Sequence, residues 1–452
     1  MFRNTNDTIV ALATPPGVGA IGVIRLSGSR AIDCINAVFR GNDLTQVDGY
    51  TVHFGKVIDG KRVVDEVLVS VFKAPKSYTG EDIAEISCHG SPYILQEVIE
   101  LLIAQGARVA EPGEFTLRAF LNGKMDLSQA EAVADLIAST SEASHKLAMD
   151  QMRGGFKKRI EALREELIHF ASMIELELDF GEEDVEFADR GELTRLVNEI
   201  LKIINELVNS FRYGNVLKHG VYTVIAGRPN AGKSTLLNKL LNEERAIVSE
   251  IEGTTRDTIE DVLNIEGLTF RLVDTAGIRE ATDQIEQKGI ERTMDSVLKS
   301  SLLIYVYDSA RLEAENVQKD LEMLDASRIP HITIANKSDL LNNGPSQVEE
   351  HWYMSARDDE DVQDLKSHMF EKVVNEIQTD GDVVVGNLRH LQSLKESKGA
   401  LERVLNGLDN ETPSDLVAMD IREALYQLGL ITGEVTTDDL LENIFRNFCI
   451  GK

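Results

Sequence analysis

The sequence predicts a multidomain α/β protein, in which a small α+β domain is followed by an all-α domain with an α/β domain inserted into it. Short β-rich runs give way to long amphipathic helices near Leu121, and helical stretches return after residue 380. A glycine-rich loop and strand-like runs lie between the two helical stretches. With 452 residues and roughly 150 residues per domain, about three domains are expected.

These changes of pattern divide the chain into four predicted segments. Residues 1–121 form the α+β domain, 122–216 the first part of the helical domain, 217–380 the inserted domain and 381–452 the second helical part. An inserted domain with its own core and adjacent termini would allow the two helical parts to pack together.

The first segment alternates short strand-like runs with helical stretches. The predicted strands are Ala20 to Leu26, Thr51 to Val57, Val63 to Phe72 and Ile83 to Cys88, and Tyr93 to Gln105 is a predicted helix. The apolar stretch Thr8 to Leu26 is broken by Pro15-Pro16-Gly17, which favours two short strands over a membrane span. We therefore expect no transmembrane segment and no signal peptide.

The helical segments have long amphipathic patterns. A capping box at Ser128-Gln129-Ala130-Glu131 is expected to open the first helix. The other predicted helices are Ala143 to Leu178, Glu192 to Phe211, Asn387 to Leu408, Ser414 to Leu430 and Thr437 to Phe448, with an end of the helical pattern at Tyr213-Gly214.

Composition indicates a large, acidic, cytoplasmic protein. The formal net charge is −29 and the pI is about 4.7. Such a surface repels phosphate backbones, although a local basic patch or a basic partner could still bring RNA in. Three widely spaced cysteines fit neither a disulfide framework nor a zinc site, which favours a reducing compartment.

The run Gly227 to Thr235 fits G-x-x-x-x-G-K-[S/T] and follows the apolar segment Val221 to Ala226. A strand that turns through glycines into a helix directs several backbone N–H groups at one anion. Lys233 would reach the β/γ-phosphates, and Ser234 offers a hydroxyl oxygen to Mg²⁺. An ordinary glycine turn is the alternative explanation of this motif alone.

Downstream motifs favour a nucleotide site and identify the base. Asp274-Thr275-Ala276-Gly277 follows a strand-like run and places a carboxylate near the metal. Asn336-Lys337-Ser338-Asp339 follows another, and the Asp339 carboxylate can accept two N–H bonds from guanine, a pair that adenine lacks. Thr255 offers a second hydroxyl to Mg²⁺. GTP is therefore predicted, in a P-loop GTPase domain of the Ras-like kind.

The full nucleotide site predicted from these motifs extends over five short segments. Its residues are Asn230, Ala231, Gly232, Lys233, Ser234, Thr235, Ser249, Glu250, Ile251, Glu252, Gly253, Thr254, Thr255, Asp274, Thr275, Ala276, Gly277, Asn336, Lys337, Asp339, Ser355, Ala356 and Arg357.

The residues after Gly277 depart from many regulatory GTPases. A glutamine that orients the attacking water often stands there, but this chain has Ile278 and Arg279. Glu286 is our candidate for that role. The alternative is a slow enzyme or one that waits for an activating partner.

The chain resembles the bacterial and organellar tRNA-modification GTPase family MnmE, also called TrmE. The resemblance rests on GRPNAGKST, IEGTTRD, DTAGIRE, TPPGVGAIGVIRLSG, PGEFTLRAFLNGKMDLSQAEA and the chain end FCIGK. It covers the whole chain, so it is more specific than a general GTPase match.

This resemblance implies an enzyme that acts with an FAD-dependent partner in a heterotetramer or larger complex. The reaction is the addition of a carboxymethylaminomethyl or aminomethyl group to C5 of the wobble uridine of certain tRNAs. GTP hydrolysis would drive it, and 5-formyl- or methylene-tetrahydrofolate would be the one-carbon donor. The N-terminal domain would form a homodimer.

Residue by residue, the resemblance also implies an ion site, a folate site and a reactive chain end. K⁺ in the interface between two GTPase domains would be held by Asn230, Ser249, Ile251 and Thr254, and Glu286 would position the water. Folate would be bound by Arg25, Glu85, Lys124 and Lys452. Cys449 would take part in the modification chemistry.

The residues alone leave several of these roles open. On the residues alone, Glu85 and Lys124 are better explained as solvated surface charges. Arg25 lies in an apolar strand, where an arginine is often paired or functional. Cys449 is either a reactive thiol or a small apolar residue that closes the last helix. Cys88-His89 resembles a metal pair, but core packing is the better interpretation.

Two functions from different classes therefore remain. One is a tRNA-modifying GTPase, and the other is a K⁺-dependent regulatory GTPase that catalyses hydrolysis alone. The folate-like N-terminal domain and the FCIGK end favour the first, because a conformational switch needs neither.

Overall fold

The structure of the protein is a computed structural model that describes residues 7–179, 190–227, 229–242, 260–274, 300–310, 329–341, 351–376, 383–410 and 412–452, with 317, 320 and 322. Contacts divide the chain into two compact units. Unit 1 is Met1–Ile137, Gln151–Leu176 and Ile421–Lys452, and unit 2 is Ala138–Asp150 and Glu177–Asp420. The four predicted domain boundaries remain a prediction.

Unit 1 contains a seven-stranded, largely antiparallel sheet in the order β3-β4-β5-β6-β2-β1-β7. The strands are β1 (Ile9–Leu12), β2 (Ile21–Ser27), β3 (Phe39–Arg40), β4 (Thr51–Asp59), β5 (Arg62–Phe72), β6 (Ile83–His89) and β7 (Arg108–Val109). The two short strands predicted within Thr8 to Leu26 are confirmed by β1 and β2. Among the described residues, no helix is long and apolar enough to cross a membrane.

One face of this sheet packs against helices α1 (Ala31–Val38) and α2 (Pro92–Ala104). Successive strand residues point to opposite faces, so Val67, Val69 and Val71 of β5 are buried while Leu68 is 47% exposed. The core on the helix side joins Val38, the three valines and residues of α2 such as Val98. On the opposite face, Ile9 and Ala11 of β1 pack against Phe115, whereas the part formed by β4 and β5 is exposed at Val52, Phe54 and Leu68.

The guanidinium of Arg118 fixes the loop and strand ends beside this sheet. Helix α3 (Glu114–Leu121) carries Arg118, whose side chain is 1% exposed. Its nitrogens lie 2.5 Å from Asp7, 3.2 Å from Glu81 and 3.0 Å from Glu114. Because a buried charge needs partners, the Asp7 and Glu81 carboxylates hold two separate chain segments against α3, while Glu114 pairs with Arg118 within α3 itself. The two arginines Arg108 and Arg118 hold the pKa of the Glu114 carboxyl below its ordinary value, although burial alone would raise it.

The other helices among the described residues follow α3 along the chain. They are α4 (Leu127–Ala138), α5 (Glu142–Met152), α6 (Gly155–Asp179), α7 (Arg190–His219), α8 (Lys233–Asn242), α9 (Asp359–Glu376), α10 (Leu388–Asp409), α11 (Ser414–Thr432) and α12 (Asp438–Phe445). Helix α10 begins where expected, because the Asn387 side chain accepts a hydrogen bond from the backbone N–H of Arg389.

The predicted capping box at Ser128 to Glu131 is wrong by two residues. Helix α4 begins at Leu127, and the Asp126 carboxylate accepts from the N–H of Gln129 at 2.7 Å. The Gln129 side chain accepts in return from the N–H of Asp126 at 3.0 Å. The reciprocal pattern is therefore present, but an aspartate and a glutamine form it while Ser128 donates to Asp126 from inside the helix.

The single helix predicted from Ala143 to Leu178 is also wrong, because α5 ends and α6 begins around Gly154. That glycine has φ of +81°, which a right-handed helix does not admit. The amphipathic pattern continues across the break, so the pattern alone did not reveal it.

The predicted end of helical structure at Tyr213-Gly214 is wrong for a different reason. Helix α7 runs on to His219, and Gly214 lies inside it. A Cβ at position 214 would lie 2.2 Å from the Val385 carbonyl oxygen. The glycine therefore permits a close approach of two chain segments rather than ending the helix.

Unit 2 contains a six-stranded sheet in the order β13-β12-β11-β8-β10-β9. The strands are β8 (Val221–Gly227), β9 (Glu260–Ile265), β10 (Leu268–Asp274), β11 (Leu302–Asp308), β12 (His331–Asn336) and β13 (His351–Met354). Five are parallel and β9 is antiparallel to β10. Strand β11 is buried along its whole length, as a strand with neighbours on both sides is expected to be.

We predict that Gly214→Ala lowers the stability of unit 2, because its methyl group would collide with the Val385 carbonyl. The expected loss is about 1–3 kcal/mol, the cost of overpacking a well-packed contact. Gly399→Ala is the matched control, since a Cβ there meets only the end of the Arg403 side chain at 3.9 Å. In α10 that change should stabilise by up to ~1 kcal/mol. Chemical denaturation of both variants would contradict the interpretation if they behaved alike.

Candidate functional site

The carboxyl ends of the parallel strands in unit 2 gather the predicted nucleotide motifs at one edge of the sheet. Strands β8, β10, β12 and β13 end at Gly227, Asp274, Asn336 and Met354, each at or just before a predicted segment. This edge is where open α/β sheets bind ligands.

The glycine-rich loop between β8 and α8 has the backbone that a phosphate-binding loop requires. Asn230 has φ of +61° and Gly232 of +96°. A Cβ at Gly227 would lie 1.9 Å from the Val306 carbonyl oxygen, so only glycine fits there. Lys233, the first residue of α8, donates from Nζ to the Gly227 carbonyl at 2.8 Å, which closes the loop on itself. Ser234 and Thr235 are exposed in the first turn of α8.

Asn336 joins this loop to two further predicted segments. Its side chain is buried at the end of β12 and donates from Nδ2 to the Ala231 carbonyl at 2.7 Å. Its Oδ1 accepts from the backbone N–H of Ala356 at 2.9 Å. A Cβ at Gly232 would lie 2.2 Å from Asn336 Nδ2, so the glycine makes room for the amide. One amide thus holds three of the predicted segments together.

Lys337 makes a second connection to the glycine-rich loop. Its Nζ donates to the Asn230 carbonyl at 2.7 Å and to the Asp308 carboxylate at 2.6 Å. The lysine itself has φ of +65°, which turns the chain toward Asp339. Ser309 donates from both its N–H and its hydroxyl to the Asn336 carbonyl.

Asp308 and Ser309 are site residues that sequence reasoning missed. Asp308 ends the fully buried strand β11 and is itself 9% exposed. A polar residue directly after an apolar run, Leu302 to Tyr307, is the signal that was available. The missing clue was that β11 lies beside β12, which places Asp308 directly opposite Asn336.

The residues predicted to bind guanine differ in exposure. Asp339 is exposed within a short 3₁₀ turn, Ser338–Leu340. Ser355 and Ala356 are buried, and the Ser355 N–H donates to Asp361 at 2.7 Å. Arg357 is exposed. The Asp339 carboxylate is therefore accessible to a ligand, whereas the N–H groups of Ser355 and Ala356 donate to Asp361 and Asn336.

Part of the predicted nucleotide site lies outside the described residues. This part comprises Ser249, Glu250, Ile251, Glu252, Gly253, Thr254, Thr255, Thr275, Ala276, Gly277 and the candidate catalytic residue Glu286. Asp274 is described as the last residue of β10.

In unit 1, three of the four predicted folate residues come together. Arg25 on β2 lies opposite Glu85 on β6, and its Nε donates to Glu85 Oε1 at 2.8 Å. Arg25 also donates to the carbonyl of Gly451 at 3.3 Å, which brings the chain end to the same place. Burial lowers the pKa of the Lys452 ammonium, and the nearby Arg25 charge lowers it further.

Two aromatic residues complete this cluster and were not predicted. The guanidinium carbon of Arg25 lies 5.6 Å from the Tyr78 ring centre and 5.8 Å from that of Phe115. The Tyr78 hydroxyl hydrogen-bonds Thr116 at 2.9 Å. The fourth predicted residue, Lys124, donates instead to the Pro75 carbonyl at 3.0 Å.

The chain end is seated by its backbone. Gly451 has φ of +93°, and a Cβ there would lie 2.3 Å from the Leu12 carbonyl oxygen. The N–H of Gly113 donates to the Cys449 carbonyl at 3.3 Å. Cys449 is exposed, so it is not the buried apolar residue that one reading of the sequence proposed. Its chemical role stays a prediction.

Cys88 and His89 do not form a metal pair. Cys88 is 2% exposed, and burial raises the pKa of its thiol to about 12. His89 Nδ1 lies 2.7 Å from Asp65 Oδ1. Across the residues that the structure covers, no group of three or more metal-binding side chains was found.

A parallel sheet that presents a phosphate-binding loop, held by an Asn-Lys-x-Asp segment, defines a P-loop GTPase. Two family models match the chain. The "GTP-binding protein TrmE N-terminus" matches residues 8–124, and the "MnmE helical domain" matches residues 127–449. The chain belongs to the MnmE (TrmE) family of tRNA modification GTPases. The predicted fold class, an α+β domain, a helical domain and an inserted GTPase domain, is confirmed.

Relatives match the chain over nearly its whole length. The tRNA modification GTPase MnmE of Cytophaga hutchinsonii is 55% identical, over 99% of this chain and 98% of that protein. The protein of the same name from Flavobacterium psychrophilum is 51% identical over 99% of both chains. A solved structure of Aquifex aeolicus Era has a TM-score of only 0.26 at 23% identity, over 40% of this chain and 66% of that chain.

We predict that Asp308→Asn weakens GDP and GTP binding about tenfold, the loss of roughly one charged hydrogen bond. Without the carboxylate, Lys337 loses the partner that holds it against the Asn230 carbonyl. Equilibrium binding of a fluorescent GDP measures the effect. Asp359→Asn is the control, because Asp359 is an exposed carboxylate of the same domain, paired with Lys239. Equal affinities of both variants would contradict a positioning role for Asp308.

Proposed function

We propose that the chain hydrolyses GTP to drive the addition of a carboxymethylaminomethyl or aminomethyl group to C5 of the wobble uridine of certain tRNAs. An FAD-dependent partner would share the reaction, and a tetrahydrofolate derivative would donate the carbon. The observation that carries this proposal is the convergence of Arg25, Glu85 and Lys452 in a chain that also holds a GTPase site. A GTPase that served only as a switch would need no such cluster.

For the nucleotide, the described residues have the chemistry that GTP requires. The loop from Asn230 to Thr235 would bind the phosphates through its N–H groups, and Lys233 would leave the Gly227 carbonyl for them. Asp339 would accept the two guanine N–H bonds while the Ala356 segment faces O6. Mg²⁺ fits the exposed Ser234 hydroxyl, with Thr255 and Asp274 as further oxygen donors, and it would neutralise phosphate charge.

For the monovalent ion, the support lies at Asn230. The Asn230 carbonyl accepts a hydrogen bond from Lys337. Because Asn230 is exposed, its side-chain amide oxygen would be accessible to a cation. Ser249, Ile251 and Thr254 would complete the set, and K⁺ would supply positive charge next to the β/γ-phosphates. Glu286 would position the attacking water.

For the folate, the geometry of Glu85 supports a pterin contact. Both contacts of Arg25 to Glu85 are to Oε1, so Oε2 would be left to accept from other donors, such as the pterin amino group or N3–H. Lys452 and the Tyr78 ring adjoin the same pair, which provides a cation and an apolar wall. Lys124 would contribute only after releasing the Pro75 carbonyl.

The homodimer is supported by the exposed part of the unit 1 sheet on β4 and β5. Val52 and Phe54 of β4 are 61% and 65% exposed, and Leu68 of β5 is 47% exposed. Adjacent strands bring these three side chains into one apolar patch. Such a patch is typical of an interaction surface, and a second copy of the chain would cover it.

We predict that cells lacking this protein lose the C5-aminomethyl-type wobble uridine and that only a chain with an intact guanine site restores it. Asp339→Asn should fail to restore it, because an amide cannot accept both guanine N–H bonds. Mass spectrometry of tRNA nucleosides measures the outcome, with Asp359→Asn as the matched control. An unchanged nucleoside profile would favour a K⁺-dependent regulatory GTPase instead.

We also predict that GTP hydrolysis is several-fold faster in KCl than in NaCl at equal ionic strength. The smaller Na⁺ should fit the predicted oxygen set poorly. Asn230→Ala should remove the difference while the GDP affinity stays within about threefold of the wild-type value, roughly 0.6 kcal/mol. Equal wild-type rates in both salts would rule out the ion site without affecting the tRNA assignment.

A further inference from the structure

The turn before α6 and the first residues of α6 together carry an unusually basic stretch for an acidic chain. The chain has 76 acidic and 47 basic residues, yet residues 153–159 contain two arginines, two lysines and no acidic residue. We name this stretch, Arg153 to Arg159, the basic turn. Its local charge is opposite to the net charge of −29.

Three of the four cations in the basic turn are exposed and have no carboxylate partner among the described residues. Arg153, Lys158 and Arg159 are exposed, and within the described ranges the structure gives none of them an ion pair. Lys157, in contrast, lies 3.5 Å from Glu161 and 4.0 Å from the buried Asp126. Within the basic turn, Lys157 therefore forms ion pairs with other residues of the fold, whereas the other three cations do not.

Helix stability does not explain these cations. The start of a helix carries partial positive charge, so acidic residues stabilise it and basic residues do the opposite. Helix α6 has no acidic residue in its first turn, while Lys157 and Lys158 follow its first two residues. The arrangement opposes the helix dipole, which indicates that the cations serve an anion outside the chain.

The backbone of the basic turn is held in place. The Gln129 side chain donates to the Met152 carbonyl at 2.9 Å, and the N–H of Lys158 donates to the Gly154 carbonyl at 3.1 Å. Helix α4, which carries Gln129, begins with Leu127. The cations therefore extend from a fixed support rather than from a free loop.

The same helix connects the basic turn to the chain end. Leu127 packs with Phe445 and Phe448 in one apolar cluster of unit 1, directly before Cys449. The basic turn and the Arg25–Lys452 cluster are thus borne by neighbouring elements of one unit.

We propose that the basic turn binds the phosphate backbone of tRNA, and this inference rests on the proposed function. Phosphate contacts fix the position of a nucleic acid, while the base is recognised at a separate site. Arg153, Lys158 and Arg159 supply the backbone contacts that an otherwise acidic surface lacks. An acidic protein partner is the competing occupant.

The test is the triple variant Arg153→Ala, Lys158→Ala and Arg159→Ala in the full-length chain. Binding of a transcribed tRNA is measured by fluorescence anisotropy at several KCl concentrations between about 50 and 200 mM. The expected result is at least about tenfold weaker binding, with a salt dependence of log K reduced by about 2 to 3. Hydrolysis of GTP without tRNA should be unchanged.

The matched control removes the same charge from three separate places. Lys56, Arg195 and Arg403 are exposed, and each faces one carboxylate. The variant Lys56→Ala, Arg195→Ala and Arg403→Ala should bind tRNA nearly as the wild-type chain does. Lys158→Glu alone is a second variant, and it should weaken binding several-fold if the triple variant folds poorly.

Three results would overturn the proposal. They are equal tRNA binding by the wild-type chain and the triple variant, an equal loss in the triple variant and its control, and no tRNA binding by the wild-type chain. A loss of binding to an acidic protein with unchanged tRNA binding would assign the basic turn to that partner instead. The tRNA-modification proposal is tested separately by the nucleoside profile.

Discussion

The edge of the GTPase domain depends on one buried carboxamide. Asn336 uses its nitrogen to donate to the glycine-rich loop and its oxygen to accept from the Ala356 N–H. Both halves of the amide are needed, because a carboxylate would face the Ala231 carbonyl with no hydrogen to donate. Gly232 leaves the space that the amide fills. Phosphate and base recognition are thereby tied to a single side chain at the end of a central strand.

In unit 1, separate chain segments are joined by a charged network instead of a neutral amide. Arg118 gathers Asp7, Glu81 and Glu114, and Glu81 also accepts from Ser27 at 2.7 Å. Removing one partner of such a buried network costs more than the network contributes, since an uncompensated charge remains. The loop that carries Tyr78 is therefore positioned by an arrangement that permits little variation.

Much of the fold followed from the sequence, because apolar periods and loop motifs are local signals. The fold class and the strands β1, β2, β4, β5, β6, β8, β10 and β12 were predictable in this way, whereas β3, β7, β9, β11 and β13 were not predicted. The positions that failed depend on neighbours distant in the chain. Gly214 resembles a helix end until Val385 is placed against it, and Asp308 becomes a site residue only when β11 lies beside β12. Tyr78 likewise acquired a role only from its contact with Arg25.

The seating of Gly451 against Leu12 has a consequence for the order of synthesis. The ribosome releases Arg25 and Glu85 early, but Gly451, whose carbonyl Arg25 contacts, follows Arg25 by 426 residues. Domains generally fold as they emerge, so the GTPase sheet can form before the terminal residues exist. A chain that stops a few residues short would retain its nucleotide loops but lack the ammonium beside Arg25. The strands that carry Arg25 and Glu85 can therefore pair long before residues 451 and 452 are made, and the cluster is complete only when that later segment has folded back against Leu12.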